Sequence, residues 1–303
     1  MSHASSLSTR VHNALLTMAH LLATFIGVAF AIASLVLLSL GLAIIYGMMG
    51  VINLAQGEFI MLGAYTVVFS SAHGVNLWIG MALAPIVVGT VGLLVERCII
   101  RFLYGRLLDT MLATWGLSLV LIAAVTLILG PSTEGVATPL SHIAIGSYAV
   151  AGYNLFVIAS AAASVAFTWY LFKYTKFGLL ARGAMQNAEM VAALGIHPPT
   201  IYMVTFAFGS ALAGLAGAIM APLTGVVPSL GLAFVAKVFI TVTVGGAAIF
   251  TGTLSAGTLL GAIESAVSFV STPIYGQVAM LACALVVLRI APQGISGLWR
   301  RRG

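Results

Sequence analysis

The chain has 303 residues, 61% hydrophobic and 6% charged, with 12 lysines and arginines against 6 acids and a formal net charge of +6. Soluble domains carry about 25% charged residues, so an aqueous globular fold is excluded, and the few cations fall in short clusters between apolar blocks rather than along a nucleic-acid-binding face. Cys98 and Cys283 stand far apart in apolar runs, and no CxxC or HExxH spacing offers a metal.

At the amino terminus, Arg10 precedes an apolar run too long for a signal peptide and continuous with further spans. It reads as a retained first helix with a cytoplasmic start. No charge lies between Arg10 and Glu58, Glu58 and Glu96, Asp109 and Glu134, or Glu134 and Lys173. A crossing takes about 20 apolar residues, and unpaired backbone groups in lipid require helices. The expected fold is all-α, a polytopic transmembrane bundle forming one domain over 1–303. Three basic clusters set topology: Arg97, Arg101 and Arg106; Lys173, Lys176 and Arg182; and Arg289 with Arg300, Arg301 and Arg302. All three belong in the cytoplasm.

The apolar blocks at 19–50, 57–72 and 76–95 lie between two cytoplasmic points, Arg10 and Arg97, so full crossings there must be even in number. One block is expected to enter and turn back. Within "YGMMGVINLAQGEFIMLGAY", 46–65, glycines permit sharp turns, while Asn53 and Gln56 have the spacing of a capping box. One helix therefore ends near Gly50 and another begins at Asn53, a break tolerated only where it is buried or lines a cavity. Its new N-terminus would offer free N–H groups to a carbonyl or carboxylate. Two roles stay open for Asn53, Gln56 and Glu58: hydrogen-bonded glue between helices or contact with a solute.

Further spans are expected at 111–129, 153–172, 200–222, 233–250, 252–271 and 275–291, with 130–152 outside. The total is eight spans plus a broken or re-entrant element near residues 50–72. The cytoplasmic loop 173–199 contains a predicted helix over 184–194, ended by Gly195, with Pro198 and Pro199 opening the next span. That short helix suits either the groove of a partner or the headgroup layer of the lipid. Thr241 and Thr243 follow Lys237, and Glu264 stands between apolar residues and serines; a Lys237–Glu264 pair is one reading and snorkelling to an interface the other. The six histidines are scattered near ends and loops, and none has an assigned role.

Four stretches together resemble the membrane permeases of branched-chain amino acid ABC importers, a family that includes urea and short-chain amide permeases. They are 46–65, "RGAMQNAEMVAALG" at 182–195 with "TFAFGSALAGLAG" at 205–217, "VGGAAIFTGTLSAGTLLGAIES" at 244–265, and "LRIAPQGI" at 288–295. The segment "ERCIIRFLYGRLLDTMLATWGLSL", 96–119, is nearest the urea-type branch, although Leu107–Leu108 departs from that branch's Pro-containing form. The resemblance implies an inner-membrane, multi-pass chain with both termini cytoplasmic. It also implies a second permease subunit, cytoplasmic ATPases that bind the ATP, and an extracytoplasmic binding protein. No enzyme activity or cofactor is expected in this chain, which has no G-x-x-x-x-G-K-[ST] phosphate cradle. Arg182, Gln186, Asn187, Glu189, Leu194 and Gly195 would form the coupling element. Asn53, Gln56, Glu58, Thr241, Thr243 and Glu264 would face the solute path. The alternative is a stand-alone channel or ion-coupled carrier for a small polar solute, which would ordinarily place ionisable groups in several spans; here only Glu58, Lys237 and Glu264 qualify.

Overall fold

The computed structural model describes residues 2–145, 148–246 and 248–300. Its helices are α1 (Ser2–Met49), α2 (Gln56–Ala72), α3 (Leu77–Cys98), α4 (Leu107–Leu129), α5 (Gly152–Tyr174), α6 (Lys176–Gln186), α7 (Ala188–Ala193), α8 (Pro198–Met220), α9 (Leu230–Gly245), α10 (Ile249–Val270), α11 (Pro273–Ile290) and α12 (Ile295–Arg300). Seven segments among the described residues are long and apolar enough to cross a membrane, and the shorter Leu230–Gly245 is also apolar. With α2 as the broken element, this is the polytopic helical bundle the apolar blocks implied. The segment outside α4 and α5 also holds a small antiparallel hairpin, β1 (His142–Ile145) with β2 (Tyr148–Ala151).

The caps follow local chemistry. Asn76 accepts from the N–H of Trp78 at the start of α3, and Thr175 from that of Gly178 at the start of α6. Pro198 and Pro199 occupy the first turn of α8, where a missing N–H costs nothing. Gly195, at φ 81°, lets the chain leave α7 in a left-handed conformation, as its place after the predicted helix required.

α8 is the hub, buried along most of its length by α1, α2 and α3. Small residues let main chains touch: Gly63 of α2 lies on the carbonyl of Gly214, and Gly217 lies on that of Ile60, with no room for a side chain at either point. These crossings also fix directions. Gly41 and Ile45 of α1 lie beside Gly209, with Gly41 reaching on toward Ala213; Ile32 lies beside Gly261, and Val36 beside Gly257. α1 therefore runs antiparallel to both α8 and α10. Its end packs Leu40, Ile44 and Met48 against Ala181, Ala184, Val191 and Ile201, on the face that carries α6 and α7.

That direction bears on the amino-terminal blocks. The start of the α1 span, Leu21, lies on the face opposite α6, α7 and the end of α11. No described amino-terminal block turns back, which corrects the expectation of a re-entrant one. α1 crosses once, residues 50–55 with α2 cross once more, and α3 returns, an odd number that follows once the start lies opposite. The direction of a helix that packs along two neighbours outweighs the topology signal of a single arginine, Arg10. All three basic clusters begin on the α6–α7 face, as expected; Arg301 and Arg302 lie outside the described residues.

Candidate functional site

Gly50, at φ 65°, closes the last helical bond of α1 to Tyr46 and takes the chain out of it, and residues 51–55 run through the bundle outside any helix until α2 begins at Gln56. Asn53, Gln56 and Glu58 are all buried, at 1%, 0% and 1% exposure. The expected capping box does not form. Asn53 Oδ1 accepts from the N–H of Ala55, two residues on, and its Nδ2 donates to Gln56 Oε1 at 3.4 Å. With only one residue between Asn53 and the bonded amide, the chain makes an Asx-type turn, which competes with a helix cap. The N–H groups of Leu54, Ala55, Gln56 and Glu58 are all taken, by Thr114 Oγ1, Asn53 Oδ1, the Asn53 carbonyl and the Ala55 carbonyl. Four N–H groups around the helix start are thus taken locally or by α4, and the acid in its first turn, Glu58, complements its positive end.

The second wall comes from α4. Its buried positions Thr110, Thr114, Ser118 and Val125 form one stripe, while Leu112, Trp115, Leu119, Leu127 and Ile128 face outward. Thr114 Oγ1 receives the Leu54 N–H at 3.1 Å, and the Ser118 hydroxyl donates to Glu58 Oε1 at 2.9 Å. Glu58 Oε2 and Gln56 Nε2 are buried with no partner among the described residues. Sequence reading passed over Thr114 and Ser118. The signal was present as hydroxyls at 110, 114 and 118, a four-residue repeat down an apolar span.

The remaining predicted residues divide. Thr243 lines a cavity of about 80 Å³ with Leu42, Tyr46 and Ile52, so it adjoins the break. Thr241 is buried, but its hydroxyl returns to the Lys237 carbonyl of its own helix. Glu264 belongs to a second polar feature, an ion pair of 2.5 Å with Lys237 that joins α10 to α9. The pair reading of those two residues is the one the geometry adopts.

On the α6–α7 face, the predicted helix over 184–194 is two helices. Asn187 is extended, at φ −156°, and its side chain accepts from the Met190 N–H at 2.9 Å, so it caps α7 and ends α6. Ala181, Ala184 and Val191 turn inward, whereas Arg182, Met185, Gln186, Asn187, Glu189, Met190, Leu194 and Gly195 are exposed. Arg182 donates through Nε to the Gly178 carbonyl, its own helix, at 3.2 Å.

A bundle of apolar helices broken at a buried carboxyl and two amides, with a short exposed helix pair on one face, defines a multi-pass membrane protein of the transport class. A family model described as "Branched-chain amino acid transport system / permease component" matches residues 24–288, and the chain belongs to that family. It is 27% identical to the probable branched-chain amino acid transport permease protein LivH of Methanocaldococcus jannaschii, over 88% of this chain and 90% of the relative. It is also 27% identical to the high-affinity permease protein LivH of Escherichia coli K12, over 86% and 90%, and 28% identical to BraD of Pseudomonas aeruginosa, over 86% and 91%. No solved structure matches the chain significantly.

Proposed function

We propose that this chain is one permease half of an ATP-driven importer, and that the broken element at 50–58 borders the path of the solute. The observation that carries this reading is the polar lining itself. A solvent-excluded carboxyl oxygen and an amide nitrogen without partners among the described residues cost free energy in a static core, and a passing polar solute offsets that cost. The exposed row of Met190, Leu194 and Met185 beside Glu189 supports a docking role toward separate ATPase subunits, on the face that carries the basic clusters. A second permease chain and an external binding protein complete the machine.

The relatives' names favour a branched-chain amino acid as the solute. A second reading, urea or a short amide, draws support from the resemblance of segment 96–119 to the urea-type branch, the segment that also contains both α4 hydroxyls that meet the break. The test is uptake of labelled leucine and labelled urea by cells with and without this chain, before and after ATP depletion. ATP-dependent uptake of one solute, lost with the chain and lost in Leu194→Asp with normal membrane abundance, is the expected result. Uptake that survives ATP depletion would replace the importer by a channel.

A further inference from the structure

We infer that Ser118 is the positioning residue that fixes which oxygen of Glu58 meets the solute, and that the solute group met there is an N–H donor, an ammonium or an amide. The inference rests on the reading that the break borders the solute path, and it adds the chemistry of recognition.

Three observations combine. First, the α4 hydroxyls behave differently. Those of Thr110 and Thr114 both return to carbonyls of their own chain segment, as hydroxyls in apolar helices ordinarily do. Ser118 instead donates across to Glu58 Oε1, at 2.9 Å and with both residues buried. Second, this leaves Oε2 unpaired among the described residues, and no described cation pairs with Glu58. The chemical complement of such an oxygen is a donor, and a charged donor most of all. Third, the backbone makes room for Oε2. Gly231 of α9 stands where a side chain carbon would come within 2.6 Å of that oxygen, so any larger residue would press on it.

α4 is otherwise a loosely attached wall. Its outward positions are exposed, and its two side-chain links to the break are the Thr114 and Ser118 bonds. Losing the Ser118 bond frees the Glu58 carboxyl to rotate, so that the acceptor is no longer held toward the path. Placement of a single acceptor is felt in solute affinity, because a hydrogen bond to a charged group contributes enough to alter binding by about tenfold or more.

The experiment measures uptake kinetics of labelled leucine and labelled urea in cells whose own copy is replaced by Ser118→Ala, Ser118→Thr, Glu58→Gln or Ser118→Ala with Glu58→Gln, with membrane abundance measured in parallel. Ser118→Ala is expected to raise KM about tenfold for the transported solute at a nearly unchanged maximum rate per molecule, and Ser118→Thr, which keeps the hydroxyl, to restore it. The double variant is expected to match Glu58→Gln alone, because Ser118 acts only through Glu58. An unchanged KM in Ser118→Ala, a maximum rate that falls at constant KM, or effects that multiply in the double variant would each overturn the inference while leaving the importer in place. A wild-type chain that moves neither solute would remove the importer reading and this inference together.

Discussion

Adding one methyl at Gly63 tests whether main-chain contact between α2 and α8 holds the broken element in place. A Cβ at position 63 meets the carbonyl carbon and Cα of Gly214, each 2.6 Å away, rather than a side chain that can swing aside. Overfilling a packed interior costs about 1–3 kcal/mol, and the upper half of that range applies here because no rotamer change relieves main chain against main chain. Gly116→Ala in α4 and Gly27→Ala in α1 serve as controls, since nothing lies within 4 Å of the added carbon at either site. Each control should be neutral or slightly stabilising, as Ala outranks Gly inside a helix. The assay is the thermal midpoint of detergent-purified protein, alongside membrane abundance. Gly63→Ala should melt several degrees below both controls, and Gly63→Val should fail to accumulate. If Gly63→Ala melts with the controls, the close α2–α8 crossing is not what holds α2, and the placement of Gln56 and Glu58 needs another cause.

Two further outcomes follow from charged groups elsewhere. In the Lys237–Glu264 pair, side-chain exposures are 25% and 16%. Lys237→Met or Glu264→Leu alone should destabilise by less than the about 3–5 kcal/mol typical of a fully buried pair, and Lys237→Met with Glu264→Leu should recover much of the loss; a strictly additive cycle of melting temperatures would show that the pair does not act as one. Outside the spans, Tyr104 donates its hydroxyl to the fully buried Glu96 and stacks on Tyr202 at 5.2 Å. Burial first, and the Glu96 bond second, push the Tyr104 phenol above its ordinary value. A raised folded-state value means that this stability is complete below the unfolded value of about 10 and is lost as pH rises beyond it. Wild-type protein should therefore lose stability above pH about 10 more steeply than Tyr104→Phe, and parallel pH–melting curves for the two would refute the argument.

Much of this protein was legible in its sequence because the membrane imposes one-dimensional rules. Charge-free runs of spanning length required helices, since lipid offers backbone groups no partner. The basic clusters share a face, and the polar residues 53–58 mark a break, because Gly50 and two amides have no place inside a continuous apolar helix. Proline at 198 and glycine at 195 bounded their helices through φ alone. Each of these properties belongs to a residue and its immediate neighbours.

Tertiary structure decided what depends on partners distant in sequence. The direction of α1 came from its packing along α8 and α10, which outweighed a single arginine. The N–H of Leu54, left free by the Asx-type turn at Asn53, found its acceptor in Thr114, 60 residues away. Ser118 became part of the site for the same reason. A hydroxyl in an apolar span has its own carbonyl as a default acceptor, and only the arrival of Glu58 across the bundle gave this one a different partner.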